Sequence, residues 1–179
     1  MRRNVFSPRT LAISAMLAAV SVVLARFIIP MPNATTRFSL EATPIILAGL
    51  LYGPLPGALV GLVADAVGCL FSGYGYNPVF SVPPVMIGLC AGAMRFLIKN
   101  RLSYFRVLLT FLPAVIVGSI LWQSWWLSFF YGSKSFGAFV ASRSIQFAIT
   151  SVLNAALVTP LLKSGVFTRI GPKPKEVDS

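Results

Sequence analysis

Four polar side chains recur at one helical spacing in the last apolar segment of this chain: Arg143, Gln146, Thr150 and Asn154, at i, i+3, i+7 and i+11. That spacing sets them on one stripe of a helix. A guanidinium can grip a carboxylate through two parallel N–H···O bonds, and a carboxamide can donate and accept at once. Such groups are costly against lipid, so the stripe is expected to face a bundle interior or a cavity. Arg143 lies nearest one end and is expected to touch a ligand. Asn154, the deepest, is expected to make only hydrogen bonds between helices.

The same sequence is poor in catalytic chemistry. It has no histidine, which removes the commonest general base, the usual metal ligand and any Ser–His or Cys–His pair. Of four acids, Glu176 and Asp178 fall in the tail. Asp65, in "GLVADAVG", is one acid without a relay partner nearby and is expected to be a hydrogen-bonded structural group. Glu41 stands where a helix begins; it can complement the dipole there, pair with Arg37 or Arg26, or touch a ligand. Cys69 and Cys90 both sit inside apolar runs, which argues against a disulfide or a zinc site. The expectation is a protein that is not an enzyme and holds neither metal nor cofactor.

The elements that position these groups follow from composition. Of 179 residues 56% are hydrophobic and 11% charged, and the mean hydropathy is +0.82. A soluble domain carries about a quarter charged residues, so this chain is expected to be solvated by lipid. Six apolar segments appear, at 8–29, about 39–53, 56–72, 78–98, 107–131 and 137–163. This predicts an all-α polytopic membrane protein with six transmembrane helices, in one domain over 1–179 with a basic tail from about 164. No cleavable signal peptide is expected, because the first apolar run is too long for a signal core.

The net charge of +11 does not point to nucleic acid, because Lys and Arg sit at segment ends. Arg2, Arg3, Arg9, Lys99, Arg101 and Arg106 gather on one side with Lys163 and the tail, while the other side has Arg26, Arg37, Lys134 and Arg143. The positive-inside rule then places both termini in the cytoplasm.

Three external stretches remain, "IIPMPNATTRF", "FSGYGYNPVF" and "YGSKSFG". With the adjoining helix ends they bring those four cations together with Tyr74, Tyr76, Phe80, Tyr131 and tryptophans. Cations beside aromatic faces suit a planar anionic ligand; an ordinary interfacial belt has the same composition. In "LWQSWWLSFF", Trp122 and Trp126 are expected to share one face with Ser119, and Trp125 to point elsewhere. Small residues recur every four positions, at Ala15/Ala19, Gly49/Gly53, Gly57/Gly61, Ala64/Gly68 and Gly88/Gly92. Such stripes serve close helix packing, and the first equally serves a partner's helix.

The stretches "SPRTLAISAMLAAVSVVLARF", "RFSLEATPIILAGLLYGPLPGALVGLVADAVG" and "YGYNPVFSVPPVMIGLCAG" resemble the substrate-binding S component of energy-coupling factor (ECF) vitamin transporters. Within that group the chain is most similar to the folate-specific (FolT) type. The resemblance implies a bacterial cell-membrane protein that takes folate from outside with high affinity. It also implies partners, namely a transmembrane coupling subunit and two ATPase subunits that use the ATP. The lack of a G-x-x-x-x-G-K-[ST] motif in this chain agrees with that division. It further implies that Ala15 and Ala19 dock on the coupling subunit and that residues 30–37 gate the ligand. The pteridine would stack among Tyr76, Phe80 and Trp126, with Asn77 and Gln146 at its polar atoms and its carboxylates near Arg26, Arg37 or Arg143. One geometric tension accompanies this. Arg26 follows Ala19 by seven residues, so a helix running through it would turn it to the docking face. A bend, a tilt or early unwinding before Pro30 would remove the tension. Alternatives are an S component for another vitamin, such as pantothenate, and a small stand-alone channel or carrier.

Overall fold

Two Xaa-Pro pairs open helices in the same way. Ser7 accepts from the Thr10 N–H at 3.2 Å and Pro8 takes the first position of α1 (Pro8–Leu24). Asn77 accepts from the Val79 N–H at 3.1 Å and Pro78 opens α4 (Pro78–Ala93), which tightens into a 3-10 turn over Met94–Ile98. In each case the side-chain oxygen satisfies an N–H that the helix cannot, and proline sits where no N–H is needed. The computed structural model from which these contacts are drawn describes residues 7–25, 29–30, 37–38, 40–72, 77–98, 102–131 and 136–164.

The remaining elements are β1 (Ile29–Pro30), β2 (Arg37–Phe38), α2 (Ala42–Tyr52), α3 (Pro54–Ser72), α5 (Tyr104–Ala114), α6 (Gln123–Tyr131) and α7 (Phe136–Lys163). Between α5 and α6 the chain continues without a break as a π-helix, Val115–Trp122. Each of the six expected segments is thus helical over most of its length. Stretches within α3, α4 with its 3-10 turn, α5–α6 and α7 are long and apolar enough to cross a membrane, while α1 and α2 are shorter apolar helices. Large apolar side chains such as Met16, Leu70, Phe105 and Phe129 point outward. The fold is therefore an all-α polytopic membrane protein.

The first segment is shorter than expected. Helix α1 stops at Leu24, where the Ala25 N–H closes on Ser21, and Ile29 is extended rather than helical. The residue before a proline is pushed out of the α region, and Ile29 precedes Pro30. Ile29 instead pairs with Phe38 and Pro30 with Arg37, antiparallel, and β2 lies against α7. The backbone on either side of residues 31–36 is joined in this way.

Helix α2 is the hub. Every residue from Thr43 to Leu50 is buried, against α1, α3, α4 and α7. Its contact with α3 and α4 depends on glycine. A Cβ at Gly49 would lie 2.5 Å from the Gly88 carbonyl oxygen, and one at Gly57 would lie 2.5 Å from the same oxygen. The corner from α2 to α3 needs glycine for its conformation, since Gly53 has φ of 107°. Pro54 starts α3 directly after it. Phe111 and Val107 of α5 and Ala155 and Val158 of α7 complete the core. Polar side chains also cross-link the helices. Thr43 donates to Asn154 at 2.6 Å, and Ser21 donates to the Glu41 carbonyl at 2.6 Å.

Candidate functional site

One set of contacts draws three helix ends to a common level. Trp122 donates its indole N–H to the Val79 carbonyl at 3.1 Å, which ties the end of the π-helix to the first turn of α4. The next residue, Gln123, accepts from Arg143 at 2.7 Å, which ties the start of α6 to the outer turns of α7. Asn77 and Phe80 stand beside Val79 on that same first turn. Asn77 and Phe80 lie at the start of α4, Trp126 on α6 four residues on from Trp122, and Gln146 three residues on from Arg143 along α7. Arg37 enters through its backbone, as β2 lies against α7. Arg26 and Tyr76 lie outside the described residues, as do Tyr74 and Lys134.

Arg143 is half-buried, and its partners among the described residues are a neutral amide and an arene. Beside the Gln123 bond, its guanidinium carbon lies 5.9 Å from the centroid of the Phe147 ring. Neither partner neutralises it. Below Arg143 the stripe continues as a ladder. Gln146 is 8% exposed, its backbone carbonyl accepts from the Thr150 hydroxyl at 2.9 Å, and the Thr150 backbone carbonyl accepts from the Asn154 NH2 at 2.8 Å. Asn154 then reaches Thr43 of α2, an interhelical role in line with its depth.

Asn77 spends its carboxamide oxygen on the start of α4. Trp122 and Trp126 meet at a tilt of 59° with centroids 6.0 Å apart, and Trp126 meets Phe129 edge-on at 5.8 Å. Trp125 is 65% exposed and packs on Phe136, on the side away from the core. The shared face expected for Ser119 and Trp122 does not form: Ser119 is 1% exposed and Trp122 40%. The wider turn of the π-helix rotates successive side chains less per residue than an α-helix does, so an i, i+3 pair separates.

The other ionisable groups take structural positions. Asp65 of α3 accepts a hydrogen bond from Ser81 of α4. Glu41 stands exposed before α2 and makes no side-chain cap there. Cys69 and Cys90 form no disulfide, and the described residues contain no cluster of metal-ligating side chains.

Sequence reasoning missed Gln123 and Ser124. The first holds Arg143, and the second is fully buried with no hydrogen-bond partner for its hydroxyl among the described residues. Their signal was present as an isolated polar pair in "LWQSWW". A concavity lies between α1 and α3. It is an apolar groove of about 210 Å³ whose lining includes Leu11, Ala15, Ala18, Pro56, Leu59 and Val63. Ala15 and Ala19 are both exposed on this side of α1.

Apolar helices exposed to lipid around a polar cluster at one level define a multi-pass membrane protein. The family model for the ECF transporter, substrate-specific component, matches residues 9–170, and the chain belongs to that family of bacterial membrane proteins. Among solved structures, FolT bound with folic acid superposes with a TM-score of 0.75 and 27% identity, over 96% of this chain and all of that one. An S component for biotin, at 20% identity, has a TM-score of 0.70 over 96% of this chain and all of that one. ThiT from Listeria monocytogenes, at 18%, has 0.67 over 91% and 97%. These two show the fold alone. A UPF0397 protein of Streptococcus pneumoniae (strain CGSP14) is 32% identical over 78 residues, 44% of this chain and 43% of the relative. Another, from serotype 19F (strain G54), is 28% identical over 108 residues, 59% of each. The chain spans about half the length of the curated relatives it matches. The family and the structural neighbours are transporter components, not enzymes.

Proposed function

We propose that this chain is the membrane-embedded binding subunit for folate, taking the vitamin from outside and passing it inward in an ATP-driven ECF complex. The observation that carries the proposal is Arg143: a cation within an apolar bundle, held by a neutral amide and a phenyl ring. A half-buried charge without a counter-charge is costly, and an anionic guest supplies the missing partner. Charge-assisted hydrogen bonds contribute about 1.5–3 kcal/mol each. Aromatic surface at the same level, from Phe80, Trp122 and Trp126, gives a heterocycle a stacking face. The 27% identity to FolT bound with folic acid, over nearly the whole chain, supports folate as the guest. Arg26, Arg37 and Tyr76 complete the proposed set, with Asn77 and Gln146 at polar atoms of the ring.

The chain holds no cofactor in this reading. A coupling subunit docks on the α1 face that presents Ala15 and Ala19, and two partner ATPases supply the energy. The test is equilibrium binding of folic acid to the purified chain. Saturable binding supports the proposal; none at micromolar folic acid rejects folate as the ligand.

A further inference from the structure

We infer that Gln123 is a positioning residue: it sets the Arg143 guanidinium toward the charged end of the guest while leaving its charge unspent. The inference rests on Arg143 as a ligand contact. Gln123 itself is well fixed. Trp122, its neighbour, is anchored on the Val79 carbonyl at 3.1 Å, and Gln123 stands where the π-helix returns to α-helix. Its Oε1 takes one guanidinium N–H of Arg143 at 2.7 Å, and the Phe147 ring lies 5.9 Å from the guanidinium carbon. A guanidinium carries its donors in a rigid planar fork, so holding one arm orients the others.

The residue type matters as much as the contact. A carboxylate at position 123 would pair with Arg143 and satisfy it within the protein, removing its demand for an anion. An apolar side chain would leave the fork free to turn. A neutral amide oxygen holds the cation without neutralising it. The resulting subsite selects a carboxylate over its uncharged amide counterpart, separately from whatever recognises the ring.

The test uses the purified full-length chain and two probes, folic acid and folic acid with both carboxylates converted to amides. Wild type is expected to bind folic acid at least about tenfold more tightly than the diamide. Gln123→Glu is expected to weaken folic acid by about tenfold or more and to leave the diamide within about threefold. Gln123→Met, which tolerates the site without adding charge, is expected to weaken folic acid less than Gln123→Glu and again to spare the diamide. Equal losses for both probes in the two variants would overturn the inference and leave Gln123 as a packing residue. If Arg143→Gln binds folic acid as wild type does, or if wild type binds neither probe, the reading of Arg143 fails first and the role of Gln123 falls with it.

Discussion

Thr43 donates a 2.6 Å hydrogen bond to Asn154, linking the hub helix α2 to the deepest polar group of α7 across 111 positions of sequence. Both side chains are buried. The bond closes a ladder that begins at Gln146 and descends through Thr150, so the polar stripe of α7 is anchored at its lower end. Only above that anchor, at Arg143, does the stripe hold a charge.

Breaking the anchor is expected to cost stability and little else. Thr43→Val and Asn154→Leu should each destabilise the protein by about 1–2 kcal/mol. The double variant should lose less than the sum, because neither polar group is then left alone. Thermal unfolding in detergent reads this, with ligand affinity nearly unchanged as the companion result. Strictly additive losses would show that the two groups do not act as a pair.

The glycine contacts of α2, α3 and α4 give a second expectation. A Cβ at Gly88 would collide with the Gly57 carbonyl, and backbone cannot move aside as a flexible side chain can. Gly88→Ala is expected to lower stability by about 1–3 kcal/mol or to prevent folding. Gly68→Ala is the control: its added methyl meets nothing within 4 Å among the described residues and removes a helix-weakening glycine. Comparison of the two by yield and melting temperature decides the point. Equal behaviour would contradict the packing.

How much of this was legible in the sequence depends on whether one element or two are involved. The six helical segments followed from apolar length alone. The end of α1 was misplaced because hydropathy continues through Ile29, while the backbone obeys Pro30 and the pairing of Pro30 with Arg37. The π-helix carries no periodicity of its own, so the shared face expected for Ser119 and Trp122 was an α-helical extrapolation. Arg143 was visible as a cation on a polar stripe. Its partner Gln123 lies on a different helix, and periodicity within α7 says nothing about it.

Variants on the α1 face test docking apart from ligand binding. Ala15→Leu and Ala19→Leu place bulk on an exposed helix face away from the α4–α6–α7 junction. Under the proposed function they should leave folic acid affinity within about threefold of wild type and abolish ATP-driven uptake by the assembled complex. The two assays are radiolabelled uptake in cells and binding to the isolated chain. Uptake at the wild-type level in both variants would remove this face from the docking surface.

The measurement closest to the central claim is calorimetric titration of folic acid into the purified wild-type chain and into Arg143→Gln. The account predicts saturable binding to wild type at one molecule per chain and a loss of at least about tenfold when Arg143 becomes neutral. Equal affinity in the two proteins, with both folded, would contradict it.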